Sequence, residues 1–448
     1  MRRSKGILIY ALLLSLSVSV AEAATYYVAT TGDDSNPGTL ASPWRTIQKA
    51  ANTAVAGDIV NVRAGTYAEH VALIHSGTSA APITFQAFTG ELPILDGAGL
   101  GTGYGFQANG TCNLIIDGFE VRNYNSGGGI GGNIYIHDCA DNTSSTKIRN
   151  NHSHHFTGVD NPTGIWFHGD RGTYEVYNNI LHDNTGSAAP ENNNCLVIFE
   201  DTIGTGIFNI NVHNNECYNE ASGLKFKHAA PAGATVSAIF EKNLIHDLNG
   251  GGSDSSGCVS TEQPGTIIRN NICYNFSNHV GSIRAGQVGG SGQCVGCQVY
   301  NNSFYNVVGM MVNTSGSSAM IVRDNIIWTS STALLLCDRT GLTSNFNLYN
   351  GQASNAAEID YCGGSLFSFA QWKATGFEAR GLTGNPLFVN PTGLRPDFHL
   401  QVGSPARGVG TGGLDIGAYP TGTEVVGPTS GGGGDTTPPV PPSNLRVI

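Results

Sequence analysis

The stretch Leu224-Lys225-Phe226-Lys227-His228 sets two lysines two residues apart, with a histidine directly after them. Only 12% of the chain is charged, so this cluster stands out. In an extended strand, residues two apart share a face. A lysine crowded by a second lysine and by an arginine loses proton affinity and can act as a base. The neighbouring cations can then stabilise an enolate formed by removing a proton next to a carboxylate. Such chemistry suits β-elimination on a uronic-acid polymer. Lys225, Lys227, His228 and Arg284 are therefore the candidate catalytic residues. Glu200, Asp201 and Glu262 are the nearest carboxylates and could hold Ca²⁺ against a substrate carboxylate. Trp166, His168, Phe199 and Gln287 are the candidate substrate-binding side chains.

The elements that would position these residues follow from a repeat. One phrase recurs as Ile148-Arg149-Asn150-Asn151, Val176-Tyr177-Asn178-Asn179 and Val212-His213-Asn214-Asn215. It continues as Phe240-Glu241-Lys242-Asn243, Ile268-Arg269-Asn270-Asn271, Val299-Tyr300-Asn301-Asn302 and Val322-Arg323-Asp324-Asn325. The closing asparagines are separated by 28, 36, 28, 28, 31 and 23 residues. Each phrase leads into a second short apolar strand and then a third. Three strands per repeat predict an all-β fold, a right-handed parallel β-helix in which each repeat is one coil. Asparagine suits the bend after the first strand because it tolerates the left-handed conformation, and stacked asparagines can hydrogen-bond in a ladder. The 61 glycines supply other corners.

Alternation sets an expected register on the third strands. Ile165/Phe167, Leu196/Ile198, Leu224/Phe226, Cys258/Ser260 and Gly281/Ile283 are placed inward. One outward column then reads Trp166, Val197, Lys225, Val259, Ser282. The next reads His168, Phe199, Lys227, Thr261, Arg284. Asp170, Glu200 with Asp201, His228, Glu262 and Gln287 follow the strands. Adjacent coils lie about 4.8 Å apart, which puts the Lys227 and Arg284 Cα atoms ~10 Å apart.

The ends read differently. Residues 1–23 have a basic start (Arg2, Arg3, Lys5), an apolar run and Ala21-Glu22-Ala23, the pattern of a cleaved signal peptide. The protein is expected outside the cytoplasm, secreted, periplasmic or at the cell surface, as a monomer with no membrane span. Its formal net charge of −11 argues against nucleic-acid binding. Ten cysteines in an exported chain can pair, and Cys294-x-x-Cys297 is a local pair with no second pair nearby for zinc. His152, His154 and His155 are close in sequence but lack a fourth metal ligand. Residues 24–420 form the β-helix domain, with 24–67 as N-terminal cap and 365–420 as closing segment. Residues 44–54 form a short capping helix. Residues 421–448 are a Gly/Pro-rich linker and tail ending in Pro441-Pro442-Ser443-Asn444-Leu445-Arg446-Val447-Ile448, which resembles the first strand of a fibronectin type III module.

The opening at Thr25-Tyr26-Tyr27-Val28-Ala29 and the closing series at Asp415-Ile416-Gly417-Ala418-Tyr419 resemble the caps of secreted bacterial right-handed β-helix proteins. The Lys/Arg/carboxylate cluster is similar in type to β-helix polysaccharide lyases of the alginate lyase and chondroitinase B kind. That resemblance implies Lys227 as base, Arg284 as its arginine, carboxylate-bound Ca²⁺ and an acidic polysaccharide substrate. In that family the arginine follows one coil after the lysine, where this chain offers Thr261 and Glu262. Two other classes stay open. A glycoside hydrolase would pair Glu200 or Asp201 with Glu262 at ~5–9.5 Å. A carbohydrate-binding or adhesion solenoid would need no chemistry, and outward Lys and Glu would then only pair along the face.

Overall fold

A computed structural model of the chain describes residues 23–186, 193–199, 206–228, 233–249, 257–276, 281–286, 292–360, 363–393 and 395–429. Three twelve-stranded sheets run the length of the molecule, and each coil contributes one strand to each. The first sheet runs from Thr25–Val28 to Thr343–Asn345, the second from Gly65–Tyr67 to Leu382–Thr383, the third from Val71–Leu73 to Leu366–Phe367. Pairing is parallel throughout, except for the antiparallel last pair of the third sheet. Alternation inside the strands explains the stacking. Gly172–Tyr177 buries Tyr174 and Val176 while Thr173, Glu175 and Tyr177 face out. A lone coil cannot cover such a face, so each coil is buried only by its neighbours.

The asparagine pairs divide their work. The first of each pair takes the left-handed conformation, with φ of 57° at Asn150, 56° at Asn178 and 54° at Asn214. The second is buried and forms the ladder. Asn179 Nδ2 donates to Asn215 Oδ1 at 3.0 Å, Asn215 to Asn243 at 3.0 Å, and Asn243 to Asn271 at 2.9 Å. The ladder continues through Asn302, Asn325 and Asn347. Glu378 ends it, accepting from Asn347 Nδ2 at 2.7 Å and from the Ser344 hydroxyl.

Helix α1 is Ile47–Ala51, shorter than the expected 44–54. Asp34 Oδ1 accepts from the backbone N–H of Arg45 and Thr46, and Trp44 bridges to Val28, so this stretch stays extended. Thr46 then caps the helix, and the Glu69 carboxylate accepts from Ile47 and Gln48 N–H at 2.9 Å each. A second helix, α2 (Phe369–Ala374), was not anticipated. It carries a Ser368/Gln371 capping box and buries Trp372 under the last coil.

The closing segment does more than plug an end. A hairpin of Phe388–Asn390 and Asp397–Leu400 packs Phe388 and Phe398 with Ile272, Tyr274, Ile326 and Leu348 of the second sheet. The chain then runs back along the asparagine corner. Gly417 N donates to Asp324 O at 2.9 Å, Asn270 Nδ2 to Ala418 O at 3.1 Å, and Gly427 N to Lys242 O at 2.8 Å. Thr429 N reaches Asn178 Oδ1 at 3.2 Å. Residues 421–429, expected as free linker, are thus part of this strap. Residues 1–22 and 430–448, which hold most of the expected signal peptide and tail, lie outside the described residues.

Disulfides join Cys112–Cys139, Cys195–Cys217, Cys258–Cys273 and Cys294–Cys297. Cys337 is disulfide-bonded as well. The C-x-x-C is therefore a local disulfide, and Cys217 and Cys273 of the second sheet are bridged to Cys195 and Cys258.

Candidate functional site

The outer face of the third sheet carries the predicted residues, but in a corrected register. Leu224 pairs with Val259, Lys225 with Ser260 and Phe226 with Thr261. Val259 then pairs with Ile283, and Ser260 with Arg284. Val259 and Thr261 therefore face inward and Ser260 outward, the reverse of the expectation. Arg284 stands in the column of Lys225, not of Lys227. Burying the β-branched Val259 in the core costs less than burying a serine there. Cys258 still reaches the interior, where it bonds Cys273. Thr261 can be buried because its hydroxyl lies 3.1 Å from that of Thr266 and accepts from Gln263 N. A slip of one residue moves every side chain to the other face.

The resulting column reads Gln107, Tyr135, Trp166, Val197, Lys225, Ser260, Arg284. Lys225 and Arg284 are two coils apart, ~10 Å between Cα atoms. Both are covered, at 1% and 5% exposure, and Glu262 is fully buried beside them. Glu262 Oε2 accepts from Gly292 N at 3.4 Å, and Arg284 Nε donates to Gly286 O at 3.3 Å. Trp166 is 1% exposed, packed with Tyr135 and Val197, so it supports the face and offers no surface for a sugar.

The second column is more open. It reads Asn109, His137, His168, Phe199, Lys227. Lys227 is half-buried, with its Nζ 5.8 Å from the Phe199 ring centre. Burial pushes its proton affinity below that of an ordinary lysine, while the carboxylates of Asp160 and Glu262 pull the other way without cancelling the shift. Phe199 also meets the rings of His168 at 5.3 Å and His228 at 4.3 Å. His228 has φ of 62°, matching Asp138 at 64° after the equivalent strand. It is a corner residue, held against the site by Phe199.

Glu200, Asp201 and Gln287 lie outside the described residues. Among the described residues no three His, Cys, Asp or Glu side chains converge to hold a metal ion, so Glu262 has no described companions for calcium. His152, His154 and His155 gather with His182 on the second sheet, away from this face; His152 Nε2 lies 2.6 Å from His182 Nε2. Two residues of the site were missed. Asp160 precedes its strand in a loop, where no periodicity marks it. Ser260 was assigned to the wrong face, although its position between the lysine and arginine coils was visible.

Three parallel sheets wound into one solenoid, with cations gathered on one outer face, define a right-handed parallel β-helix protein. The chain belongs to the Pel9A-like right-handed β-helix family, whose pattern matches residues 26–314. It is similar over 77 residues, at 39% identity, to pectate lyase PEL9 of Emericella nidulans, covering 17% of this chain and 19% of that protein. An uncharacterised protein of Bacillus subtilis, YwoF, is 42% identical over 71 residues, 16% of this chain and 15% of that protein. The matched regions thus span less than a fifth of either relative. Among solved structures, pectate lyase Pel9A superposes with a TM-score of 0.58 at 14% identity, over 90% of this chain and 97% of that one. XylC in complex with xylose gives 0.50 at 14% identity, over 82% and 88%. These structures share the fold. No helix among the described residues is long and apolar enough to cross a membrane.

Proposed function

We propose that this protein is an exported polysaccharide lyase that cleaves a uronic-acid polymer by β-elimination, with pectate the first substrate to test. The observation that carries the reading is Lys227, a half-buried amine of lowered proton affinity on the outer face of the third sheet. In its neutral form Lys227 Nζ takes the proton α to the uronate carboxylate. The C–H electron pair forms the C=C bond, and the bond from the β-carbon to the glycosidic oxygen breaks with its pair staying on the oxygen, which takes a proton from water. Lys225 and Arg284 add positive charge beside the developing enolate. Phe199 and His168 offer ring surface to neighbouring sugars. Of the expected calcium ligands only Glu262 is among the described residues, and no cluster of His, Cys, Asp and Glu there completes a site around it. The exported setting is supported by the disulfides, which persist outside the cytoplasm.

The test is a panel of uronic-acid polymers, pectate and alginate included, followed in the ultraviolet where the new C=C bond absorbs. It is run with and without a chelator. Lys227→Ala should abolish the signal while the fold is kept. Reducing ends released without ultraviolet absorbance would instead indicate a hydrolase using Glu262. Retardation in a polysaccharide gel without products would indicate binding alone. A panel in which no polymer yields unsaturated product defeats the lyase reading.

A further inference from the structure

The same outer face ends, toward the N-terminus, in a cavity of about 360 Å³ bounded by His70, Ala72, Thr102, Gly103, Tyr104 and Gln107. Resting on the polysaccharide reading above, we propose that this cavity is a distal sugar subsite that takes the end of the chain held at Lys227.

Position is the first argument. Ala72 pairs with Gln107, and Gln107 stands in one column with Tyr135, Trp166, Val197 and Lys225. The cavity is therefore four coils from the lysine coil, ~19 Å along the solenoid axis. Between the two ends the second column carries one ring per coil: His137, which is buried, then the half-buried His168 and Phe199. A 1,4-linked pyranose advances by about one coil spacing, so one sugar can sit over each coil. Gln107 joins the cavity to this row, its Nε2 lying 3.1 Å from His137 Nε2.

Chemistry is the second. Apart from His70 no ionisable cation or carboxylate lines the cavity; its polar groups are an imidazole, a primary amide and a hydroxyl beside the Tyr104 ring. Such a set grips a pyranose through its ring face and hydroxyls rather than its charge. Carboxylate recognition belongs to the cationic end. The Tyr104 ring is fixed against Tyr135 at 4.9 Å, with its hydroxyl donating to Ile130 O at 2.9 Å. His70 Nδ1 lies 3.2 Å from Tyr104 O, and its Nε2 is buried without a hydrogen-bond partner. Gly103 preserves the arrangement, since a Cβ there would lie 2.3 Å from His70 Cε1.

The experiment is calorimetric binding of oligogalacturonates and oligomannuronates, each from dimer to heptamer, to the Lys227→Ala protein so that no ligand is consumed. Affinity should rise by about tenfold once the oligomer is long enough to span the four coils. His70→Ala and Gln107→Ala should each remove that rise and leave the binding of dimer and trimer within about twofold. Affinity that levels off at the trimer, or variants that weaken short and long ligands alike, overturns the distal subsite and leaves the lyase reading standing. A protein that binds no member of either series sinks both. The length dependence measured without a cavity substitution decides the matter even where a variant fails to fold.

Discussion

Asn243→Ala removes one rung of the buried ladder. Asn243 Oδ1 accepts from Asn215 N at 3.1 Å and from Asn215 Nδ2 at 3.0 Å. Its own Nδ2 donates to Val212 O and to Asn271 Oδ1, each at 2.9 Å. Alanine leaves the Asn215 backbone N–H unpaired at a position with no solvent access, while Asn215 Nδ2 keeps Val176 O at 2.9 Å and His213 O at 3.1 Å. Asn271 Oδ1 keeps a partner in the Asn243 backbone N–H, so the acceptor side loses less. One orphaned buried donor predicts a loss of about 1–3 kcal/mol. Asn243→Asp should do no better, because its second oxygen would face Val212 O and Asn271 Oδ1, acceptor against acceptor. Asn178→Gly is the control: a half-buried corner residue with φ of 56°, whose loss should cost less than about 1 kcal/mol. Urea unfolding followed by tryptophan fluorescence should show a lower midpoint at unchanged slope for Asn243→Ala. If Asn243→Ala is no less stable than Asn178→Gly, the ladder is decoration and the reasoning fails.

Other expectations can be checked with the same protein. With Lys227 as base, turnover should increase with pH through an apparent pKa below the ordinary lysine value of about 10.4, because burial favours the neutral amine; a profile that is flat across that range removes Lys227 from the base role. Glu220 is buried, its Oε1 accepting from Asn184 N and Nδ2 at 2.7 Å each, and burial holds its carboxyl well above the usual carboxylate range. The folded state thus binds this proton more tightly than the unfolded one, so its contribution is present below pH about 4.3 and fades as pH rises toward the folded value. Glu220→Gln should flatten that decline, by up to about 1.4 kcal/mol per pH unit, in thermal melts at pH 5 to 8; parallel curves would count against it. Replacing both Cys195 and Cys217 by alanine opens a bridge spanning 22 residues and should cost about 3 kcal/mol, read as a lower melting temperature.

Much of this molecule is written in local pattern. Alternating Val, Ile and Phe with an Asn-Asn phrase is enough to specify strand, corner and coil, because each coil repeats the same short-range chemistry. Lys225 and Lys227 on one outer face follow from alternation alone. The lumen, the ladder and the face that carries the cations were therefore visible in the amino acids. Other features depend on contacts between distant residues. Inside Val259–Thr261, a strand of three residues, alternation has no length to define phase, and the core chose Val259 over Ser260. That choice moved Arg284 from the Lys227 column to the Lys225 column. Trp166 and Lys225 are buried although alternation places them on an outward face, and Asp160 came to Lys227 from a loop without periodicity. The strap that returns to Asn178 follows no repeat, since its partners are spaced by the solenoid and not by the chain. Sequence determines what a coil is; stacking decides which neighbours meet across coils, because only there do register, burial and charge act on one another.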